Sequence, residues 1–354
     1  MEEQLWQACS DGKVEEVISL LQNSEINTNW QDSELSRTPF YIACYNGHIE
    51  IVKLLLNDER IDIDQVDNEL SRTPFSVACQ EGYIEIVKLL LNDQRVDINQ
   101  ADNDGWTPFN IACAIGDIEI VKILLDDGNI NQIEVRYDRT PFYVACENGH
   151  IEIVKLLLND QRVDINQIRN EGVAPFYIAC HNGHIDIVKL LLNDNNRIDV
   201  NHVNHGQTPF WIACWDGHIE IVKILLNDNR VDINKADKYG RTPFEIACYN
   251  GHIEIVKLLL NDDDERIDIN KDGAIPFFVA CKNRHTEIVK LLLNDERIDI
   301  NRFSPLHSTC HNGYIQGVQH ILAMRREINL NVQDSQGMTP IDRAKEGKEM
   351  TRFW

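Results

Sequence analysis

The sequence predicts an all-α repeat solenoid: one array of helix–turn–helix units joined by short β-hairpin-like fingers. Three observations predict it. All ten prolines fall on one ladder, from Pro39 through Pro74, Pro108, Pro141, Pro175, Pro209, Pro243, Pro276 and Pro305 to Pro340, at spacings of 35, 34, 33, 34, 34, 34, 33, 29 and 35 residues. Nine of the ten cysteines follow one of these prolines by five residues, and Cys9 takes the same column in a first unit without the proline. The string GHIEIVKLLLND stands unchanged at Gly47, Gly149 and Gly251, each copy 102 residues after the last. A period of this size marks a stack of supersecondary units rather than two or three compact domains, which length alone would suggest.

The unit is legible in Arg37–Asp64, RTPFYIACYNGHIEIVKLLLNDERIDID. Thr38 is the N-cap and Pro39 occupies the first helical position, where its missing N–H is no loss. Helix one runs to about Asn46 and breaks at Gly47. Helix two carries Ile49, Ile51, Val52, Leu54, Leu55 and Leu56 against Glu50, Lys53 and Asn57. That apolar arc is too wide for one partner and needs covering by helix one and by the units before and after it. The Ile-Asp alternation that follows, with Asp, Asn and Gly before the next Thr-Pro, suggests a short extended finger. Its aspartates are expected to be solvated edge charge.

These stretches resemble the ankyrin repeat, whose pattern is Thr-Pro-Leu-His-x-Ala, then Gly-His, then Val-x-x-Leu-Leu. Thr208-Pro209-Phe210-Trp211-Ile212-Ala213, Gly217-His218 and Val222-Lys223-Ile224-Leu225-Leu226 match it. The resemblance covers the whole chain, 1–354, as eleven units of about 1–34, 35–69, 70–104, 105–137, 138–171, 172–205, 206–239, 240–272, 273–301, 302–336 and 337–354. Departures are Phe for Leu in most units, the family's histidine only at His307, and Asn-Asp-x-Arg-Ile-Asp in place of Gly-Ala-Asp. Asn is expected to supply the left-handed helix end that Gly usually provides. Ala174 and Ile275 replace the Thr cap, and the finger shortens at 270–276 and again at 301–305.

Composition narrows the function classes. The chain is 43% apolar and 26% charged with a formal charge of −23, which argues against nucleic acid or an anionic membrane as the main partner. No apolar run is long enough to span a bilayer and MEEQLWQACSDGK lacks the features of a signal peptide, so a cytoplasmic home is expected, with the nucleus as the alternative. The cysteines recur one per unit and read as free, small core residues. His307, Cys310 and His311 are the best metal candidates, but the glutamate of the zinc-protease helix motif is absent, Cys310 is the repeat's own cysteine and His307 is the ankyrin pattern's usual histidine. No metal, cofactor or catalytic residue is expected: phosphate loops, nucleophile elbows and isolated carboxylate pairs are missing.

Specific information must lie in the columns that change. In helix one, the residue after Thr-Pro-Phe and the one four later share a face, which reads Tyr41/Tyr45, Ser76/Gln80, Asn110/Ala114, Tyr143/Glu147, Tyr177/His181, Trp211/Trp215, Glu245/Tyr249, Phe278/Lys282 and His307/His311. The ankyrin resemblance implies that this face lines a concave groove. Its aromatic content suggests protein-binding anchors: Trp211, Trp215, Tyr177, His181, Tyr143, Tyr249 and Phe278, with Trp106, Arg139 and Arg241 from the fingers. The expected function is non-catalytic protein–protein recognition by a monomeric scaffold or adaptor whose protein partner the sequence does not name. The alternatives are a structural spacer, whose rings pack only on one another, and a regulatory subunit that binds an enzyme or small ligand.

Overall fold

In the computed structural model the chain forms two compact units, Met1–Pro175 and Phe176–Trp354. The structure describes residues 1–127, 139–169, 172–194, 197–261, 266–270, 275–298, 305–323, 330–334 and 336–346. The first unit pairs Glu2–Ser10 with Val14–Leu21, Pro39–Tyr45 with Ile49–Leu56, Pro74–Gln80 with Ile84–Leu91, Pro108–Ile115 with Ile118–Asp127, and Pro141–Asn148 with Ile151–Asn159. The second pairs Pro175–His181 with Ile185–Leu192, Pro209–Asp216 with Ile219–Leu226, Pro243–Asn250 with Ile253–Leu260, Pro276–Lys282 with Thr286–Asn294, and Pro305–His311 with Ile315–Ala323, then adds Pro340–Glu346. Within the first unit, and from Pro209–Asp216 onward in the second, helix one packs on the next helix one, and in both units helix two packs on the next helix two. The core is therefore a repeating strip of Phe, Ala and Cys from helix one and Ile, Val and Leu from helix two.

Helix one starts as the Thr-Pro reading requires. The hydroxyls of Thr38, Thr73, Thr107, Thr140, Thr208 and Thr242 each accept the N–H three residues on, at 3.1 to 3.2 Å. Ile275, which replaces the cap, makes no such bond, and its backbone leaves the extended region at φ −136°, ψ 52°. All ten cysteines are buried. Burial raises the thiol pKa values of Cys9, Cys44, Cys79, Cys113, Cys146, Cys214, Cys248, Cys281 and Cys310, to about 12 at Cys9.

The turn between helices needs glycine for two reasons at once. Gly217 has φ +83°, and a Cβ there would sit 2.6 Å from the ring of His252. That histidine reaches back with Nε2 to the carbonyl of Trp215 at 2.8 Å. His48, His150, His218 and His285 make the same bond to Ser10, Ala114, His181 and Tyr249. The histidine column is thus a tie between successive repeats.

Three expectations about the segment after helix two change. Asn57, Asn92, Asn193 and Asn227 end their helices in the right-handed region, not the left-handed one. An arginine removes the need for a left-handed cap. Arg60, Arg95, Arg162, Arg230 and Arg297 each pair with the aspartate two residues earlier, at 2.6 to 2.7 Å. Each also donates to a carbonyl near the end of the preceding repeat's helix two, at Leu21, Leu56, Leu125, Leu192 and Leu260. Orphan carbonyls and the helix dipole both favour a cation there.

The Ile-Asp alternation, second, forms turns rather than a strand. Ile61, Ile63, Ile198, Val200, Ile267 and Ile269 are buried. The aspartates are not merely solvated edge charge, because Asp62, Asp97, Asp199 and Asp232 accept the N–H two residues on. Third, the fingers are hairpin-like but hold one isolated bridge among the described residues, Asn204 with Gln207. An aspartate organises most of them: the N–H of Asp237 bonds Arg241 O, while its carboxylate accepts the N–H groups of Tyr239 and Arg241. The shortened fingers at 270–276 and 301–305 fall largely on residues outside the described ones, as does the end of the chain after Glu346.

Candidate functional site

The aromatic face divides into two columns with different fates. The first column was expected to line a surface, and it is buried: Tyr41, Ser76, Asn110, Tyr143, Tyr177, Trp211, Glu245 and His307 are all core residues, with Trp211 at 0% exposure. Its polar tips reach the next repeat's finger. Trp211 Nε1 donates to Arg241 O at 2.9 Å, Asn110 Nδ2 to Arg139 O at 2.8 Å, and Tyr41 Oη to Asp67 Oδ2 at 2.9 Å. Tyr177 Oη bonds Gln207 at 3.2 Å, and His307 Nε2 reaches Met338 O at 2.8 Å. A buried ring with a polar tip must satisfy that tip, and the neighbouring finger supplies the partner. Phe278 has no polar tip, and it is only half-buried.

Glu245 is the charged member of this column. Its Oε2 accepts the N–H of Ile275 at 3.3 Å. Burial pushes its carboxyl up to about 7, against the opposing pull of the Ile275 N–H and of Arg241.

The second column faces outward. Trp215 is half-buried, His181 and Lys282 are exposed, and Tyr249 is 38% exposed. In the second unit these side chains assemble with the finger Asn234–Thr242 into one cluster. Trp211 and Trp215 stack with centroids 5.4 Å apart and planes inclined by 15°, and Tyr249 continues the stack at 6.3 Å and 17°. Arg241 crosses its edge, 5.5 Å from Trp211, 5.8 Å from Trp215 and 5.1 Å from Tyr239. Buried Asp237 holds the guanidinium at 2.6 and 2.8 Å. Lys238 lies 5.1 Å over Tyr239, which is 71% exposed. Beside the stack, His181 Nδ1 pairs with Asp216 at 2.7 Å and its ring stacks on Tyr177 at 6.5 Å.

Backbone ties fix the stack in place. The carbonyl of Trp215 accepts Asn250 and His252, and that of Tyr249 accepts Asn283 and His285, all at 2.8 to 2.9 Å. Asp237, Lys238 and Tyr239 were not among the sequence candidates. An aspartate five or six residues before Thr-Pro, at Asp32, Asp67, Asp102, Asp237 and Asp334, is the signal that marks the organising position.

The first unit holds smaller versions. Arg139 lies 5.4 Å over Trp106 and 3.8 Å from Glu147. Arg169 lies 5.5 Å over Tyr143, and Arg37 lies 5.3 and 4.9 Å over Tyr41 and Tyr45. Arg37 and Arg72 also meet carboxylates, Arg37 at Asp67 and Glu69 and Arg72 at Asp102.

Among the described residues no group of three or more His, Cys, Asp or Glu is placed to hold a metal ion. His307 is buried and His311 exposed, so the pair does not converge. No described helix is long and apolar enough to cross a membrane.

Capped helix pairs, each covered by its neighbours and joined by a finger, define a helical repeat protein. The family described as ankyrin repeats (3 copies) matches residues 5–102, 94–169, 161–237 and 229–304, and the chain belongs to the ankyrin repeat family. Ankyrin repeats are generally protein–protein interaction modules and typically non-catalytic. No individual curated protein matches the chain.

Proposed function

We propose that this chain is a non-catalytic scaffold or adaptor that holds a partner protein on the finger-side face of its repeats, with the principal contact on Trp215, Tyr249, Tyr239 and Arg241. The observation that carries this reading is the Trp211–Trp215–Tyr249 stack, immobilised from beneath and exposed at its outer end. Rigid aromatics beside an arginine lose little side-chain entropy on binding, and residues of this kind dominate interface energetics. Trp211, Tyr143 and Tyr177 act from below, fixing the fingers, while His181 and Phe278 extend the contact face and the Trp106–Arg139 pair offers a separate contact on the first unit.

The spacer alternative draws support from the same burial, since a column spent on the next finger needs no ligand. Affinity capture with crosslinking separates the two. Trp215→Ala combined with Tyr249→Ala should lose the proteins that wild type retains at equal salt, with helical content unchanged. Retention of the same set by the double variant would reject this contact face, and a wild type that captures no specific protein would favour the spacer.

A further inference from the structure

The described lysines of this protein differ in how they are paired. Along helix two, Lys53, Lys88, Lys122, Lys155, Lys223 and Lys257 are each held by the glutamate three residues earlier, at 2.5 to 2.7 Å. Lys235 and Lys238 differ: both are exposed on the finger that carries Tyr239 and Arg241, and no described carboxylate pairs with either. Lys282, exposed in the column beyond Tyr249, is likewise without an ion pair.

Three described carboxylates of the stack's own helices and finger are already engaged. Asp237 is buried on Arg241, Asp216 is bonded to His181, and Glu245 is buried against the Ile275 N–H. Around the exposed rings the balance of free charge among the described residues is therefore positive, in a chain whose total is −23. At physiological ionic strength charges more than about 8 Å apart are largely screened, so these lysines, not the distant acidic surface, set the local field. In the first unit the finger arginines Arg37, Arg72 and Arg139 are all offset by carboxylates.

We infer that the Trp215–Tyr249 face takes an acidic segment of a partner protein, its apolar side chains lying on the rings and its carboxylates meeting Lys235, Lys238 and Lys282. This rests on the binding role proposed above and names the chemistry of the occupant. Aromatic faces supply contact area, and unpaired lysines at the rim supply sign selectivity and a faster encounter. A single-stranded nucleic acid would also stack on rings near cations, and it is the outcome that would count against the inference.

The test is fluorescence anisotropy on the full chain with four labelled probes: a peptide alternating Glu with Phe, its Gln and Lys counterparts, and an oligouridine. The Glu peptide should bind most tightly and weaken as salt rises. Lys235→Glu with Lys238→Glu should weaken it about tenfold or more. Lys223→Glu with Lys257→Glu, on helix two, should leave it within about twofold and so controls for net charge. Equal or tighter binding of the Gln, Lys or oligouridine probe overturns the inference, as does no binding of the Glu peptide or equal weakening by both double variants. If Trp215→Ala with Tyr249→Ala abolishes lysate capture while Lys235→Glu with Lys238→Glu does not, the contact face stands and its acidic specificity falls.

Discussion

Trp211 donates its indole N–H to the backbone carbonyl of Arg241 while the Arg241 guanidinium lies over the same ring. One residue of helix one therefore holds the next repeat's finger by a hydrogen bond and by a cation–π contact. The neighbouring tryptophan, one turn on, makes the stack and leaves part of its ring outside.

This separates two tryptophans that the sequence presents as a pair. Trp211→Ala should destabilise the protein by about 3–5 kcal/mol, the range for deleting a fully buried large aromatic. Trp211→Phe should lose about 1 kcal/mol from the missing hydrogen bond alone. Trp215→Ala should cost about 1 kcal/mol or less, because it forfeits stacking without opening a cavity. Urea unfolding midpoints of the three variants check the order, and equal losses at 211 and 215 would contradict the division into buried and outward columns.

Asp64 stands where other repeats have asparagine. Asn29 and Asn201 donate to the carbonyls of Arg60 and Arg230 and accept the N–H of Asp62 and Asp232, bridging two repeats. Asp64 keeps the accepting half, taking the N–H of Asp97 at 2.9 Å, but its buried Oδ1 has no partner. Burial raises its pKa. A raised folded-state pKa means that stability is fully present below the unfolded value and is lost as pH rises through the folded one. Asp64→Asn should raise the thermal midpoint at pH 7 by an amount equivalent to about 1 kcal/mol, with a smaller gain at pH 4.

Glu245 obeys the same sign rule with a wider window. Its carboxyl moves from 4.5 in the unfolded chain to about 7 in the fold, so its destabilising charge develops between those values as pH rises. Glu245→Gln should unfold at a higher temperature than wild type at pH 8, by on the order of 2 kcal/mol, and the two should converge by pH 4. A pH-independent difference between the two proteins would assign the effect to packing instead.

Ala174 precedes Pro175 where most of the proline-led helices have a capping threonine. Ala174→Thr should restore the bond that Thr140 and Thr208 make and add about 1 kcal/mol. An unchanged or lowered denaturation midpoint would show that the site does not adopt the capping geometry.

The proline and cysteine ladders, the threonine caps and the Gly-His turn were legible because each is a local rule repeated between five and ten times along the chain. A threonine hydroxyl before Pro-Phe caps its own helix, and a glycine with φ +83° breaks it, whatever lies nearby. The arginine after helix two was visible but its task was not. Its target carbonyl belongs to the preceding repeat, 37 to 39 residues back at Arg60, Arg95 and Arg162. Likewise, the finger aspartates looked like solvent charge until their N–H partners were placed around them.

What the sequence determined by itself was the helical repeat, its register and the two variable columns. Which column is surface was decided only by the stack. Tyr143, Tyr177 and Trp211 read as groove residues from their spacing, yet the next finger folds over them and claims their polar tips. The residue four later, on the same helical face, keeps part of its surface outside, even where Arg241 of that finger reaches the Trp215 ring. Burial here is a relation between repeats, and a periodicity within one repeat cannot express it.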